Sequence, residues 1–405
     1  MGTKADGTEA GTETDTGRRP ARSAVVVGGG IGGLAAAIGL HRTGWRVTVH
    51  ERDAVHEDAG AAISLAANGL RALDALGVGE AVRAASRPQY TGGTRTPDGR
   101  WLSRMDGAAL ERALGDPIAG IPRSELHRLL RAALPADRLV TGREVTFEEL
   151  REPSRAGTPT ADLVAAADLV VAADGVRSRI RAGLFPGHPG PAYSGSTALR
   201  AVTAGPVDPG TDFALTWGPG AEFGHIRLAD GRAEWHAVLN APAGLRHEDP
   251  LAVLRHRFAS WHQPVPELLA ATRPEDVLHH DVHELAVPLP SFVAGRTVLL
   301  GDAAHAMTPH LGQGACQALE DAVVLAAELA AGPDLAAALA RYDAARRPRS
   351  QAVARAARRA GRMGQQLTGP LALAVRNTAL RLAPSKATVR AVLSHADWAP
   401  PHLPG

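Results

Sequence analysis

A chain of 405 residues is too long for one simple core, and with 45% of its residues apolar it can bury a large one, so two domains with an elaboration are expected. Its 44 basic and 42 acidic residues nearly cancel to a formal charge of +2, which leaves no global field to attract nucleic acid, and no run of about 18 apolar residues is present to span a bilayer. The single cysteine, Cys316, excludes an internal disulfide and fits a reducing compartment.

The first 22 residues are rich in Gly, Thr and charge and lack an apolar segment. They read as a disordered tail, neither signal peptide nor anchor, and a soluble cytoplasmic protein is expected. The apolar run Ala24 to Val27 then reads as a buried parallel strand. It enters Gly28, Gly30 and Gly33, spaced G-x-G-x-x-G, and an Ala- and Leu-rich helical run. Gly28 makes the tight turn, Gly30 lets backbone approach a pyrophosphate, and Gly33 lets the helix pack closely on the sheet. The helix N-terminus offers free N–H groups and a positive dipole end to phosphate. A second strand, Arg46 to His50, delivers Glu51, whose carboxylate can accept from both hydroxyls of a ribose. Strand, glycines, helix, second strand and acid in register identify a dinucleotide site.

Downstream, Gly60 to Leu65 leads to a helix over Asn68 to Leu76, and Arg87 to Met105 suggests a hairpin around Asp98-Gly99. Ser124 reads as the N-cap of a helix carrying Leu126, Leu129 and Leu130, with Arg123 at its start. Strands over Leu163 to Ala165 and Asp168 to Ala172 precede the turn Asp174-Gly175. That turn stands at the carboxyl end of a strand, where open sheets bind ligands. From Tyr193 to Leu239 short strands separated by Pro, Gly and Asp-Gly turns mark an inserted antiparallel meander. A helix over Pro250 to Leu269 and a strand over Val282 to Pro288 follow. A second buried strand, Thr297 to Leu300, delivers Asp302, and a helix N-terminus follows at Gly312-Gln313-Gly314, ahead of a long Ala-rich helix. The helical tail from Leu335 is rich in arginine, including Arg346, Arg349, Arg358 and Arg362, and reads as a solvated face, with contact to anionic lipid or a partner as the weaker reading.

The fingerprint Gly28 to Gly33 with Glu51-Arg52, the Asp174-Gly175 turn, and Gly301-Asp302 with Gly312-Gln313-Gly314 together resemble the para-hydroxybenzoate hydroxylase type of FAD-dependent monooxygenase. Within it the chain is most similar to the branch of salicylate and urate hydroxylases, tetracycline monooxygenases and zeaxanthin epoxidases. The resemblance implies an α/β fold: a Rossmann-like FAD-binding domain with a parallel sheet (23–87, 110–190 and 292–365), an inserted antiparallel β-sheet substrate domain (88–109 and 191–291), and a C-terminal helical segment (366–405). It implies FAD with its pyrophosphate over Gly28, Gly30, Gly32 and Gly33, its adenosine ribose on Glu51 and its adenine half beside Arg52. Ser64 would approach the cofactor chain, Arg123 the ribityl and phosphate region, and Asp302 the ribityl hydroxyls. The backbone of Gly312, Gln313, Gly314 and Ala315 would cradle the isoalloxazine edge, and Asp174 and Gly175 would lie near the pyrophosphate and the approach of NADPH or NADH. The nicotinamide nucleotide would be a transient reductant, O₂ a co-substrate, and a flavin C4a-hydroperoxide the oxygenating species for an aromatic or other electron-rich small molecule. Epoxidation or Baeyer–Villiger oxygenation of a natural-product intermediate, and a non-catalytic flavin-binding redox protein, stay open as alternatives. No nucleic-acid or membrane partner is expected, and the chain would be a monomer or homodimer.

Candidate bases come from the meander. Glu222 and His225 sit on one strand, and Glu234 and His236 on its hairpin partner, with alternation placing Glu222 beside Gly224 and Glu234 beside His236 on one face. Arg200 is a further polar candidate there. His310 reads as pocket-lining, His305 as a packing and hydrogen-bonding residue, and Cys316 as a small buried apolar residue. His279-His280-Asp281-Val282-His283 suggests a metal site, but alternation along a strand would split its ligands between two faces, so no metal is expected.

Overall fold

The computed structural model describes residues 21–54 and 61–404, so residues 1–20 of the expected tail, and Gly60, lie outside the described residues. The strand Ser23–Val27 pairs in parallel with Arg46–His50 on one side and Leu169–Ala172 on the other. Its apolar residues are buried because helices cover both faces of the sheet, which is what an unalternating apolar strand requires. Among the described residues this sheet has six strands, continuing through Thr297–Leu299 to an antiparallel edge at Val293–Ala294, and ending on the other side at Leu139–Val140. The helix Ile31–Arg42 packs on the sheet and on the helix Gly314–Ala330, an approach that leaves no room for a side chain at Gly39, where a Cβ would stand 2.9 Å from that of Ala326.

A second sheet has seven strands among the described residues, in the order Leu278–Glu284, Ala192–Val202, Ala233–Asn240, Ala221–Arg227, Phe213–Gly218, Thr91–Arg95, Trp101–Asp106. Its pairings are antiparallel except that Phe213–Gly218 runs parallel to Thr91–Arg95, so the 91–106 hairpin joins the meander's sheet. One face is apolar: Phe223, Trp235 and Ala237 bury against Leu251, Leu254, Phe258, Leu268 and Leu269. Trp235 stacks on Phe223 at 5.6 Å and donates its indole N–H to Thr272 Oγ1 at 2.8 Å. The strands Ala62–Leu65, Ile118–Pro122 and Arg87–Gln89 form a small third sheet.

Several expectations are corrected. Residues 163–165 lie in the helix Pro159–Ala166, because Thr158 caps Ala161 and Pro159 opens the first turn, and those start signals outweigh a short apolar run. The helix Arg123–Ala132 begins one residue before Ser124 and has no side-chain cap. The span 250–269 is two helices, Pro250–Arg257 and Val265–Ala270, with Gln263 and Pro264 between them. The strand expected over 282–288 is Leu278–Glu284. It includes the His279 to His283 run, whose Asp281 is engaged by Arg246 at 2.9 Å and by Thr197 at 3.2 Å.

The arginine-rich helix Leu335–Met363 is not a solvated face throughout. Arg346 is 1% exposed and donates from Nε to Asp321 Oδ1 at 2.7 Å and from Nη1 to Glu320, both fully buried on the neighbouring helix Gly314–Ala330. Arg349 adds a bidentate pair to Glu320 at 2.7 and 2.8 Å, and Arg358 donates to Glu284 at 2.7 Å. Burial pushes Asp321 toward protonation, but His305 and Arg346 outweigh it and hold the carboxyl down at about 2. Removing one partner of such a buried set strands the remaining charge and costs about 3–5 kcal/mol. Arg346→Met is therefore expected to lower the unfolding free energy by about 3–5 kcal/mol in a denaturant titration; an unchanged midpoint and slope would refute the idea that this arginine carries the helix pair.

Candidate active site

At the carboxyl end of the first sheet the glycine fingerprint takes the expected shape. Gly28 has φ +105°, and a Cβ on it would meet the Ala173 carbonyl oxygen at 2.3 Å. A Cβ on Gly33 would lie 1.9 Å from the Gly28 carbonyl oxygen, so the helix start sits directly on the turn. A Cβ on Gly30 would meet nothing within 4 Å, so this is where the loop opens outward at the N-terminus of Ile31–Arg42. Gly32 instead packs toward Leu300 and Ala318. Glu51 lies against the loop: Oε2 accepts from the Gly29 N–H at 2.6 Å and Oε1 from the Asp53 N–H at 2.9 Å. Arg52 lies at the surface beside Asp53, 3.8 Å away.

Asp174 and Asp302 end adjacent parallel strands. Asp174 Oδ2 accepts from the Ile180 N–H at 3.3 Å, while its Oδ1 is buried without a protein partner. Gly175 beside it has φ +80°, a left-handed conformation suited to glycine. Asp302 is exposed on the first turn of the short helix Asp302–His305. Gly312, with φ +62°, turns the chain into the helix Gly314–Ala330. The Gln313 side chain is directed inward, where its Oε1 accepts from Asn68 Nδ2 at 2.9 Å. Only the backbone of Gly312, Gln313, Gly314 and Ala315 is left to line the loop. Ser64 is half-buried opposite Gly120, and Arg123 begins its helix with its backbone N–H bonded to Ala61 at 2.9 Å. Open space over a helix N-terminus, two carboxylates at strand ends and an orphaned carboxylate oxygen fit an FAD laid across these strands.

Two supporting residues carried no sequence signal. His127 donates from Nε2 to the Gly29 carbonyl at 2.8 Å, bracing the loop from behind. Arg181, 2% exposed, donates to Ala303 O at 3.0 Å and Val176 O at 2.7 Å, and its charge faces both Asp174 and Asp302. It ties together the two turns that end in those acids. His305, read as a hydrogen-bonding residue, puts Nε2 2.5 Å from Asp321 Oδ2, and the same oxygen accepts from the Gly301 N–H at 2.9 Å.

On the second sheet, register sets Arg200 opposite His236 and His236 opposite Gly224, and Glu222 and Glu234 share that face. The His236 ring fills the space a side chain on Gly224 would occupy, 2.3 Å from an ideal Cβ. It stands between two buried carboxylates, with Nε2 3.7 Å from Glu222 and Nδ1 3.6 Å from Glu234. Burial opposes a charge on this imidazole, yet the two carboxylates outweigh it and raise its pKa to about 10. Glu222 also accepts from Trp217 Nε1 at 2.6 Å. Burial favours its protonated form, but His236, His310 and Trp217 hold it below the usual carboxylate range. His310, on the turn Pro309–Leu311 just ahead of Gly312, thus faces this cluster across the gap between the sheets; its Nε2 is 3.3 Å from Gln365 Oε1.

His225 does not join them. It points to the opposite face with Thr211 and Thr216, where burial pushes it down to about 3, and it leaves the set of candidate bases. Strict alternation is the reason: three residues after Glu222, it falls on the other side of the strand. Cys316 is buried against Gly69, where desolvation raises its thiol to about 12.

A family model described as FAD binding domain matches residues 22–357. Over 345 residues the chain is 39% identical to the aurachin C monooxygenase/isomerase of Stigmatella aurantiaca, spanning 84% of this chain and 89% of that protein. It is 33% identical over 330 residues to the FAD-dependent urate hydroxylase of Klebsiella pneumoniae, spanning 80% of this chain and 85% of that one. Among solved structures it superposes on Klebsiella pneumoniae HpxO complexed with FAD and uric acid with a TM-score of 0.84 at 28% identity, covering 94% of this chain and 97% of that chain.

Asp302→Ala removes an acceptor from the open side of the cradle without touching the core, since the side chain is exposed. Flavin retained through gel filtration is expected to fall at least about tenfold, by analogy with the loss of hydrogen bonds to a charged acceptor; wild-type flavin content would count against the placement. Gly30→Val fills the opening above the helix N-terminus, and a colourless but folded protein by circular dichroism is expected.

Proposed function

This chain belongs to the FAD binding domain family and is an FAD-dependent monooxygenase of the para-hydroxybenzoate hydroxylase type, and from that premise we propose that it hydroxylates an electron-rich aromatic small molecule, drawing electrons from NADH or NADPH and oxygen from O₂. The cradle of Gly28, Gly30, Gly33, Glu51, Asp174, Asp302 and the Gly312 to Ala315 backbone would hold FAD, with Arg52, Ser64 and Arg123 along its length. Bound there, FAD supplies hydride acceptance and oxygen activation. The chain carries a single G-x-G-x-x-G fingerprint, at Gly28 to Gly33, which supports a nicotinamide nucleotide that visits and leaves. The two sheets support the division into a cofactor domain and an inserted substrate domain.

One observation carries the assignment of the substrate side: the His236 imidazole wedged between Glu222 and Glu234 on the sheet face that looks at His310 and the Gly312 loop. Held protonated up to about pH 10, His236 has no vacant nitrogen to serve as a base at neutral pH. The proton of a substrate hydroxyl goes instead to the Glu234 carboxylate, which His236 orients and whose charge it offsets. Glu222, committed to Trp217 and His236, holds the imidazole from the other side. His310 lines the pocket, and Arg200, beside His236 in register, supplies positive charge for the developing phenolate.

The holoenzyme should oxidise NADH or NADPH faster with a hydroxylated aromatic present and yield a product one oxygen heavier. Flavin that stays oxidised with both nucleotides and every phenol tried would overturn the proposal. Glu234→Gln should lower coupled hydroxylation about 100-fold, the usual worth of a positioned proton acceptor, with FAD still bound; full coupling would remove it. The raised pKa of His236 also fixes a stability trend. Its contribution is fully present below the unfolded value of 6.5 and fades as pH climbs to about 10. The stability gap between wild type and His236→Gln should thus be larger at pH 6 than at pH 9.5 in denaturant titrations, and a gap that widens with pH would contradict it.

A further inference from the structure

The helix Pro370–Leu382 has its apolar stripe on the wrong side for a soluble surface. Leu371, Val375, Thr378 and Leu382 fall at steps of four, three and four residues and so share one helical face. That face is turned to solvent: Leu371 is 79% exposed, Val375 63% and Leu382 78%, with Met363 61% exposed just ahead of the helix. The opposite face is the packed one. Leu373, Arg376, Asn377 and Leu380 are half-buried, and the Arg376 guanidinium lies 5.4 Å over the Trp217 ring while donating to Gly364 O at 2.8 Å. None of the helix's residues is buried.

Charge along this stretch of the chain has one sign. No aspartate or glutamate occurs between Asp343 and Asp397, whereas Arg359, Arg362, Arg381 and Arg390 are all exposed there. Large exposed apolar side chains on a segment that carries arginines and no acids match the chemistry of an anionic phospholipid surface, where acyl boundary and headgroup are met together. A second copy of this chain seated on the same face would set arginines against arginines, which like-charge repulsion disfavours.

We propose that the helix Pro370–Leu382 and its basic surroundings dock this protein on anionic bilayers, with Leu371, Val375 and Leu382 at the acyl boundary and Arg362, Arg381 and Arg390 at the headgroups. On the packed face of this helix Arg376 lies over Trp217, which is bonded to Glu222, so two side chains join the helix to the candidate substrate cluster. The arrangement admits an apolar aromatic substrate that partitions into lipid.

The test is co-sedimentation of the FAD-loaded enzyme with vesicles of phosphatidylcholine alone and of phosphatidylcholine with phosphatidylglycerol. Binding is expected only with the anionic vesicles, weakening as salt is raised. The triple variant Leu371→Ser, Val375→Ser, Leu382→Ser changes only exposed positions, so flavin content should match wild type while partitioning onto anionic vesicles falls at least about tenfold. Equal partitioning of wild type and variant, or no binding to anionic vesicles, overturns the proposal. So does light scattering that shows a dimer dissolved by the same triple variant, which would make a second copy the occupant.

Discussion

The bond between Arg346 and the Asp321–Glu320 pair is the constraint on which the rest of the cofactor side depends. The two acids sit side by side in the helix that begins just after Gly312, and each points a different way. Asp321 reaches forward to the Gly301 N–H and His305, fixing the turn that presents Asp302. Glu320 reaches sideways to Asn68, which holds Gln313 inside the loop. Two carboxylates at zero exposure are tolerated only because Arg346 and Arg349 answer them with full hydrogen-bonding geometry. The helix Leu335–Met363 thereby determines where the Gly301–Asp302 and Gly312–Gln313 turns stand.

This explains why the glycine turns and strand-end acids were legible in the sequence and their support was not. Gly28, Gly30, Gly33, Glu51, Asp174 and Asp302 are required by backbone geometry and by position at strand ends, and such requirements leave a fixed spacing. His127 and Arg181 are required by partners far along the chain, 98 residues away at Gly29 and 122 at Ala303, and Arg346 by acids 25 and 26 residues before it on another helix. A local pattern carries no trace of them, so an arginine run on a helix read as solvated surface. The short-range misreadings have the same root. Residues 163–165 were assigned by apolarity while the deciding signal was Thr158-Pro159 just upstream.

The substrate sheet shows the opposite balance. Alternation alone put Glu222 with Gly224 and Glu234 with His236 on one face, and pairing register then aligned His236 with both Gly224 and Arg200. The same rule, carried one step further, would have sent His225 to the helix-covered face. What alternation does not give is which face meets the cofactor sheet. That choice follows from the bulk on the other side: Phe223, Trp235 and Ala237 need the helices of 250–270 to bury them, so the polar face is the one left for the gap.

The two charge clusters of the molecule solve one problem in different ways. At Arg346 the carboxylates and guanidinium groups match, every carboxylate oxygen accepts at least one hydrogen bond, and the result is rigid. At His236 one imidazolium faces two carboxylates at 3.6 and 3.7 Å, outside hydrogen-bonding distance, and the cluster keeps a net negative charge. In a low-dielectric gap an unmatched charge of that kind is costly unless something nearby completes it. Arg200, opposite His236 on the adjoining strand, is the charged group placed to do so. In the proposed reaction a ligand carrying an acidic hydroxyl would give its proton to Glu234 and its negative charge to Arg200, relieving the imbalance. The incompleteness that would be a defect in a structural ion pair is the feature on which the proposed proton transfer at this cluster rests.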